Sequence, residues 1–158
     1  MAGLAGAATL TGDAGADTIA GDDGSELLSG GDGSDSLIGG AGADKMSGEV
    51  GEDSMIGDEG SDSLSGGDGN DQILGGEGAD TIAGGEGNDL LSGQEGADSV
   101  VGGAGNDTLD GGRHQDSLYG EQGDDLLLLI GGHDKLAQGG PGEDTISAQG
   151  THAGLNTD

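Results

Sequence analysis

The residues of this 158-residue chain that could do chemistry are almost all carboxylates: 32 Asp and Glu stand against Lys45, Arg113, Lys135, three His and no Cys. They are not scattered. Between Gly66 and Val100 the chain reads GGDGNDQILGGEGADTIAGGEGNDLLSGQEGADSV, with aspartates at 71, 80, 89 and 98. A carboxylate pair can perform acid–base chemistry, but catalysis needs groups in distinct roles. Here the paired carboxylates are accounted for by a repeating array. H-E-x-x-H, G-x-S-x-G and G-x-x-x-x-G-K do not occur, nor does a D-x-[DN]-x-[DN]-G loop. The signatures of a zinc protease, a serine hydrolase elbow, a phosphate loop and an EF-hand are therefore missing. His114, His133 and His152 fall in two irregular turns and the C-terminal segment. They are expected to fill turns or surface rather than bind a transition metal.

Composition narrows the partners. A formal charge of −29 opposes binding to nucleic acid or to an anionic membrane surface, which both require basic residues. The longest strongly apolar run, Leu126 to Ile130, is far short of the ~20 residues that span a bilayer. It is expected to be a local strand irregularity or end-of-array packing. Residues 1–11 lack a basic start and an apolar stretch, so no cleavable N-terminal signal is expected. Without Cys there is neither a disulfide framework nor a Cys-based zinc site.

The elements that must position the acids follow from a nine-residue period. Starting at Gly3, the frame runs unbroken to Ala137; one more repeat, 139–147, follows an insertion placed at Gln138. Columns one and four are nearly always Gly. Column six is acidic in every repeat but the first, which has Ala8, and column eight is always aliphatic or Met. A disordered Gly-rich linker has no reason to hold an aliphatic residue at one column throughout. One inward apolar residue with small or polar neighbours suits a three-residue strand, and the six residues before it suit a turn. Two repeats then make one coil, and coils stack at the ~4.8 Å strand spacing. The expectation is an all-β protein: a right-handed parallel β-roll (β-solenoid) of about eight coils across residues 1–147, with a tail at 148–158.

These columns resemble the G-G-x-G-x-D-x-U-x nonapeptide of the RTX (repeats-in-toxin) calcium-binding proteins, over residues 12–147. The resemblance implies Ca²⁺ held between turns 18 residues apart on one edge of the roll. It takes carbonyls of columns two and four from the first turn, carbonyls of columns one and three from the second, and column-six carboxylates from both. One implied site uses Gly67, Gly69, Asp71, Gly84, Glu86 and Asp89. Its neighbour on the opposite edge uses Gly76, Gly78, Asp80, Gly93, Glu95 and Asp98. The same rule brings in Gly31 and Gly33 with Gly48, Gly40 and Gly42 with Gly57, Gly85 and Gly87 with Gly102, and Gly103 and Gly105 with Gly120. Gly66 and Gly75 serve the sites that precede them. Six oxygens suit Ca²⁺, which takes 6–8 at ~2.3–2.6 Å, better than Mg²⁺.

One edge carries Asp17, Asp35, Asp53, Asp71, Asp89, Asp107, Asp125 and Asp144; the other carries Ala8, Glu26, Asp44, Asp62, Asp80, Asp98, Asp116 and Asp134. Seven gaps per edge set a ceiling. Ala8 is expected to remove one site, Glu26 to weaken another, and His114 and the Leu129–Ile130 stretch to disturb their turns. About eleven ions remain, at six oxygens each. A single apolar column beside this charge makes a thin core, so the chain is expected to fold only with Ca²⁺. The resemblance also implies type I secretion, a secreted bacterial setting and a fused passenger domain. A structural spacer, an adhesin segment or an engineered calcium-responsive rod fits the same features. Ice binding fits poorly, because column three is largely charged from Asp32 to Glu95.

Overall fold

A computed structural model describes residues 6–131, 134–149 and 154–156. Every regular element among them is a strand, and no helix is long and apolar enough to cross a membrane. Strands alternate between two parallel sheets of nine. The first contains Thr9–Ala14, Leu27–Asp32, Lys45–Val50, Ser63–Asp68, Thr81–Glu86, Ser99–Ala104, Ser117–Gln122, Leu136–Gln138 and Leu155–Asn156. The second contains Thr18–Ala20, Ser36–Gly42, Ser54–Glu59, Gln72–Glu77, Leu90–Glu95, Thr108–Asp110, Leu126–Ile130 and Thr145–Gln149, with Asp23–Gly24 beside Ser36–Gly42. Residues pair across coils at a separation of 18, as in Ile82 with Val100 and Ile73 with Leu91. This is the expected parallel β-roll of about eight coils.

Most strands have six residues rather than three. In Thr81–Glu86 the extended backbone runs from column seven through the glycine pair to column three, burying Ile82 and Gly84. Alternation places columns eight and one inside. Column one must then be small, because the neighbouring coil lies close. A Cβ at Gly84 would stand 2.6 Å from the Gly102 carbonyl oxygen and would collide with Oδ2 of Asp89.

The apolar interior is one file per sheet, from Ile19 to Leu127 and from Leu28 to Ala137, with Leu10 and Ile146 half-buried at the ends. Leu129 takes the place of a column-one glycine and is fully buried. The apolar run there is thus a strand that adds one inward residue.

The inserted residue lies earlier than the sequence frame puts it. Lys135 N still donates to Asp116 O, in line with other turns, but Ser117 pairs with Leu136 and Leu118 with Ala137. The extra residue is therefore absorbed just after Asp134. Ala137 fills the inward position and Leu136 is only half-buried. Beyond residue 147, Leu155–Asn156 pairs with Ala137–Gln138 and continues the first sheet.

Candidate metal centres

Each column-six acid is placed by its turn against the turn 18 residues away. The Asp53 amide donates to Asp71 Oδ1 at 2.8 Å, Asp71 N to Asp89 Oδ1 at 2.8 Å, and Asp89 N to Asp107 Oδ1 at 2.8 Å. The opposite edge repeats this through Asp62, Asp80, Asp98 and Asp116. The ladder starts at Asp17 N with Asp35 and ends at Asp125 N with Asp144. From Asp35 to Asp134 these aspartates are at most 3% exposed, while Asp17 and Asp144 at the ends are half-buried.

One oxygen per carboxylate is thereby occupied. The other is left over: Oδ2 of each column-six aspartate from Asp35 to Asp125, and of Asp144, is buried without a hydrogen-bond partner. A buried polar atom without a partner is costly, and a buried charge more so. Burial accordingly raises the carboxyls of Asp53, Asp80, Asp89, Asp98 and Asp125. It takes Asp71 and Asp116 up to about 7 and Asp62 and Asp107 up to about 6. Backbone amides oppose the rise, and acids one coil away add to it.

The backbone brings carbonyls to the same gaps. Between the turns at 66–71 and 84–89, a Cβ at Gly85 or Gly87 would run into the Gly67 or Gly69 carbonyl oxygen, respectively. From the other side, the Gly84 carbonyl oxygen would lie 2.7 Å from a Cβ at Gly66, and Glu86 O accepts from Gly69 N at 2.7 Å. Gly67, Gly69, Asp71, Gly84, Glu86 and Asp89 therefore converge on one gap. Gly78, Asp80, Gly93, Glu95 and Asp98 meet on the opposite edge, where Gly76 pairs with Gln94. The Glu95 side chain points outward to Arg113 at 2.6 Å. The same approach recurs at Gly33 with Gly51, Gly42 with Gly60, Gly48 with Gly30, Gly57 with Gly39, Gly103 with Gly85 and Gly120 with Gly102.

The turn at 111–116 is milder than its sequence suggests. His114 is exposed and holds φ +84°, as a column-four glycine would. The strand beside it shortens to Thr108–Asp110, yet Asp98 N still reaches Asp116 Oδ1 and Asp116 N reaches Asp134 Oδ1. His133 and His152 lie outside the described residues. The structure also holds a ladder that sequence reasoning did not single out. Asn70 Oδ1 accepts from Asn88 N, Asn88 Oδ1 from Asn106 N, and Asn106 Oδ1 from Asp124 N. Its signal was present in the asparagines that recur every 18 residues in column five.

A group that fits these gaps must tolerate oxygen donors only, neutralise two carboxylates and bind carbonyls whose direction the backbone has already set. A hard divalent cation of calcium's size meets all three conditions. Among the described residues no three His, Cys, Asp or Glu side chains converge, so a cation in a gap would need carbonyl oxygens beside the two carboxylates.

The comparisons agree. A family model described as the RTX calcium-binding nonapeptide repeat matches in four copies, at residues 2–35, 20–55, 56–91 and 92–127. No curated protein matches the chain. With four tandem copies spanning most of its length and carboxylates bared on both edges, the chain belongs to the RTX calcium-binding nonapeptide repeat family.

Proposed function

We propose that this chain is a module that remains unfolded where Ca²⁺ is scarce and folds where it is plentiful. The observation that carries the reading is the file of buried carboxylate oxygens, bare on both edges. Without cations they oppose the fold; with cations they become its cross-links, and binding energy becomes folding energy. Each ion would be held by the carbonyls and the two aspartates that converge on a gap, as at Asp71 and Asp89. About eleven gaps would fill, at 6–8 oxygens each. The role is structural, and no catalysis is assigned.

The setting follows from that chemistry. A chain that stays extended in a low-calcium cytosol can pass through a narrow export channel and fold on reaching millimolar Ca²⁺. Family membership supports type I secretion from a bacterium, with this roll helping a fused passenger to fold outside.

Circular dichroism of the whole chain in EGTA and then in millimolar Ca²⁺ tests the proposal. A disordered spectrum becoming a β spectrum, with cooperative uptake of several ions, is the expected result. An unchanged β spectrum would end the reading.

A further inference from the structure

The two edges of the roll differ in the residue that precedes each column-six acid. On one edge column five reads Asn70, Asn88, Asn106 and Asp124; at the same height on the other it reads Ala79, Ala97 and Gln115. The first set links turn to turn. Asn88 N donates to Asn70 Oδ1 at 2.7 Å, Asn106 N to Asn88 Oδ1 at 2.7 Å, Asp124 N to Asn106 Oδ1 at 2.9 Å and Glu143 N to Asp124 Oδ1 at 2.8 Å.

These bonds run opposite to the column-six ladder. The Asp71 amide of the earlier turn reaches Asp89 Oδ1 of the later one, while the Asn88 amide of the later turn reaches back to Asn70 Oδ1. Neighbouring residues thus tie each gap twice, once in each direction. Between the Ala79 and Ala97 turns only the forward tie is present, from the Asp80 amide to Asp98 Oδ1, because an alanine side chain has no acceptor. Earlier on that edge the ties are longer: Ala43 N donates to Ser25 Oγ at 3.4 Å and Ala79 N to Ser61 Oγ at 3.2 Å. Above Ala97 the backbone contact is long as well. Gly96 N stands 3.3 Å from Arg113 O, against 2.8 Å for Gly87 N to Ala104 O and for Gly105 N to Gln122 O on the asparagine edge.

An asparagine amide carries no charge, so its links form without a cation. An ion entering a gap that is already tied has less chain to order, and preorganised ligands bind more tightly. We infer that Asn70, Asn88 and Asn106 are positioning residues for calcium. They hold the turns of one edge at ion-binding spacing, so the gaps bordered by Asp71, Asp89, Asp107 and Asp125 fill before those bordered by Asp80, Asp98 and Asp116. The two edges then form two classes of site. The inference rests on calcium filling the gaps and adds the order in which they fill.

The test reads amide exchange residue by residue, by nuclear magnetic resonance, on the full-length chain at a Ca²⁺ level just sufficient for the full β circular dichroism signal. An ion in a gap holds both of its turns shut and slows exchange there. The amides of Asp71 and Asp89 should exchange more slowly than those of Asp80 and Asp98 by roughly 3- to 10-fold, the worth of about one hydrogen bond. N88A removes the acceptor for the Asn106 amide. It should bring Asp89 to the faster rate of the other edge and leave Asp71, Asp80 and Asp98 unchanged. N88D should keep the parental rate, since Asp124 already serves in the same ladder. A97N gives the Gln115 amide an acceptor and should slow Asp98. Equal rates on the two edges of the parent overturn the inference, as does an N88D as fast as N88A. A loss spread over both edges in N88A would mark Asn88 as merely structural and overturn it too. If N88A does not fold, A97N decides: slower exchange at Asp98 supports the inference and an unchanged rate overturns it. A parent that takes up no calcium defeats the reading of the whole roll and this inference with it, whereas calcium uptake with equal rates defeats the inference alone.

Discussion

The Asp71 amide donates to Asp89 Oδ1 at 2.8 Å, across one coil, and leaves Asp89 Oδ2 buried and bare. One side chain thus has two separable jobs, as backbone acceptor and as charge. D89N keeps an acceptor oxygen and removes the charge. It should weaken calcium at both gaps that Asp89 borders, seen in calorimetry as two fewer ions at moderate Ca²⁺. D89A also strands the Asp71 amide, at a cost of about 1–3 kcal/mol. In saturating Ca²⁺ its urea midpoint should therefore fall below that of D89N. Equal ion counts in D89N and the parent would show that the bare oxygen binds nothing.

Core truncations should separate by column. Ile82 is fully buried, whereas Ile56 in column nine is half-buried on the outer face. In the calcium-loaded roll, Ile82→Ala should cost about 2–5 kcal/mol in urea unfolding. Ile56→Ala should cost less than half of that. Similar losses at the two positions would mean that the apolar interior is not confined to column eight.

The repeat made the fold readable. An invariant apolar column and an invariant acid at period nine leave few arrangements other than a stack of coils. The stacking of the 66–71 turn against the 84–89 turn, 18 residues on, was legible for the same reason. What stayed hidden depends on choices that a one-dimensional frame leaves open. Leu136 and Ala137 are both apolar, so only strand pairing shows that Ala137 faces inward. Leu155 carries the apolar column onward with no acid before it to mark the repeat. The Oδ1 ladder requires knowing which amide lies opposite which carboxylate, and sequence spacing does not give a direction.

Column two offers a stabilising change that sequence alone would not suggest. Several of its non-glycine residues hold positive φ, among them Glu49 at +79° and Gln94 at +74°. An L-residue in that region loses roughly 1–2 kcal/mol. Glycine avoids this strain but loses about 0.5–1 kcal/mol more backbone entropy on folding. Gln94→Gly should thus stabilise the loaded roll by a net ~0.5–1 kcal/mol. Gly67→Ala should do the reverse, because φ there is +119° and a Cβ would run into the Glu49 carbonyl oxygen. Thermal melts in excess Ca²⁺ check both. A lower melting temperature for Gln94→Gly would mean that the glutamine side chain makes a compensating contact.

The buried acids also fix how the metal-free chain should respond to pH. Burial lifts the carboxyls of Asp71 and Asp116 from 3.8 to about 7 and those of Asp62 and Asp107 to about 6. The folded roll therefore holds more protons than the unfolded chain between those limits, and stability falls as pH rises. The contribution is fully present below about 3.8 and is lost as pH climbs through about 6 to 7. Protons and Ca²⁺ then compete for the same oxygens. In EGTA, β circular dichroism should appear as the solution is taken from pH 7.5 to pH 4. In Ca²⁺, affinity should weaken over that same interval. Acid replaces the ion's neutralising effect but not its bridging of carbonyls, so the acid form should melt at a lower temperature than the calcium form. A metal-free β signal that is stronger at pH 7.5 than at pH 4 would show that these carboxylates do not oppose folding.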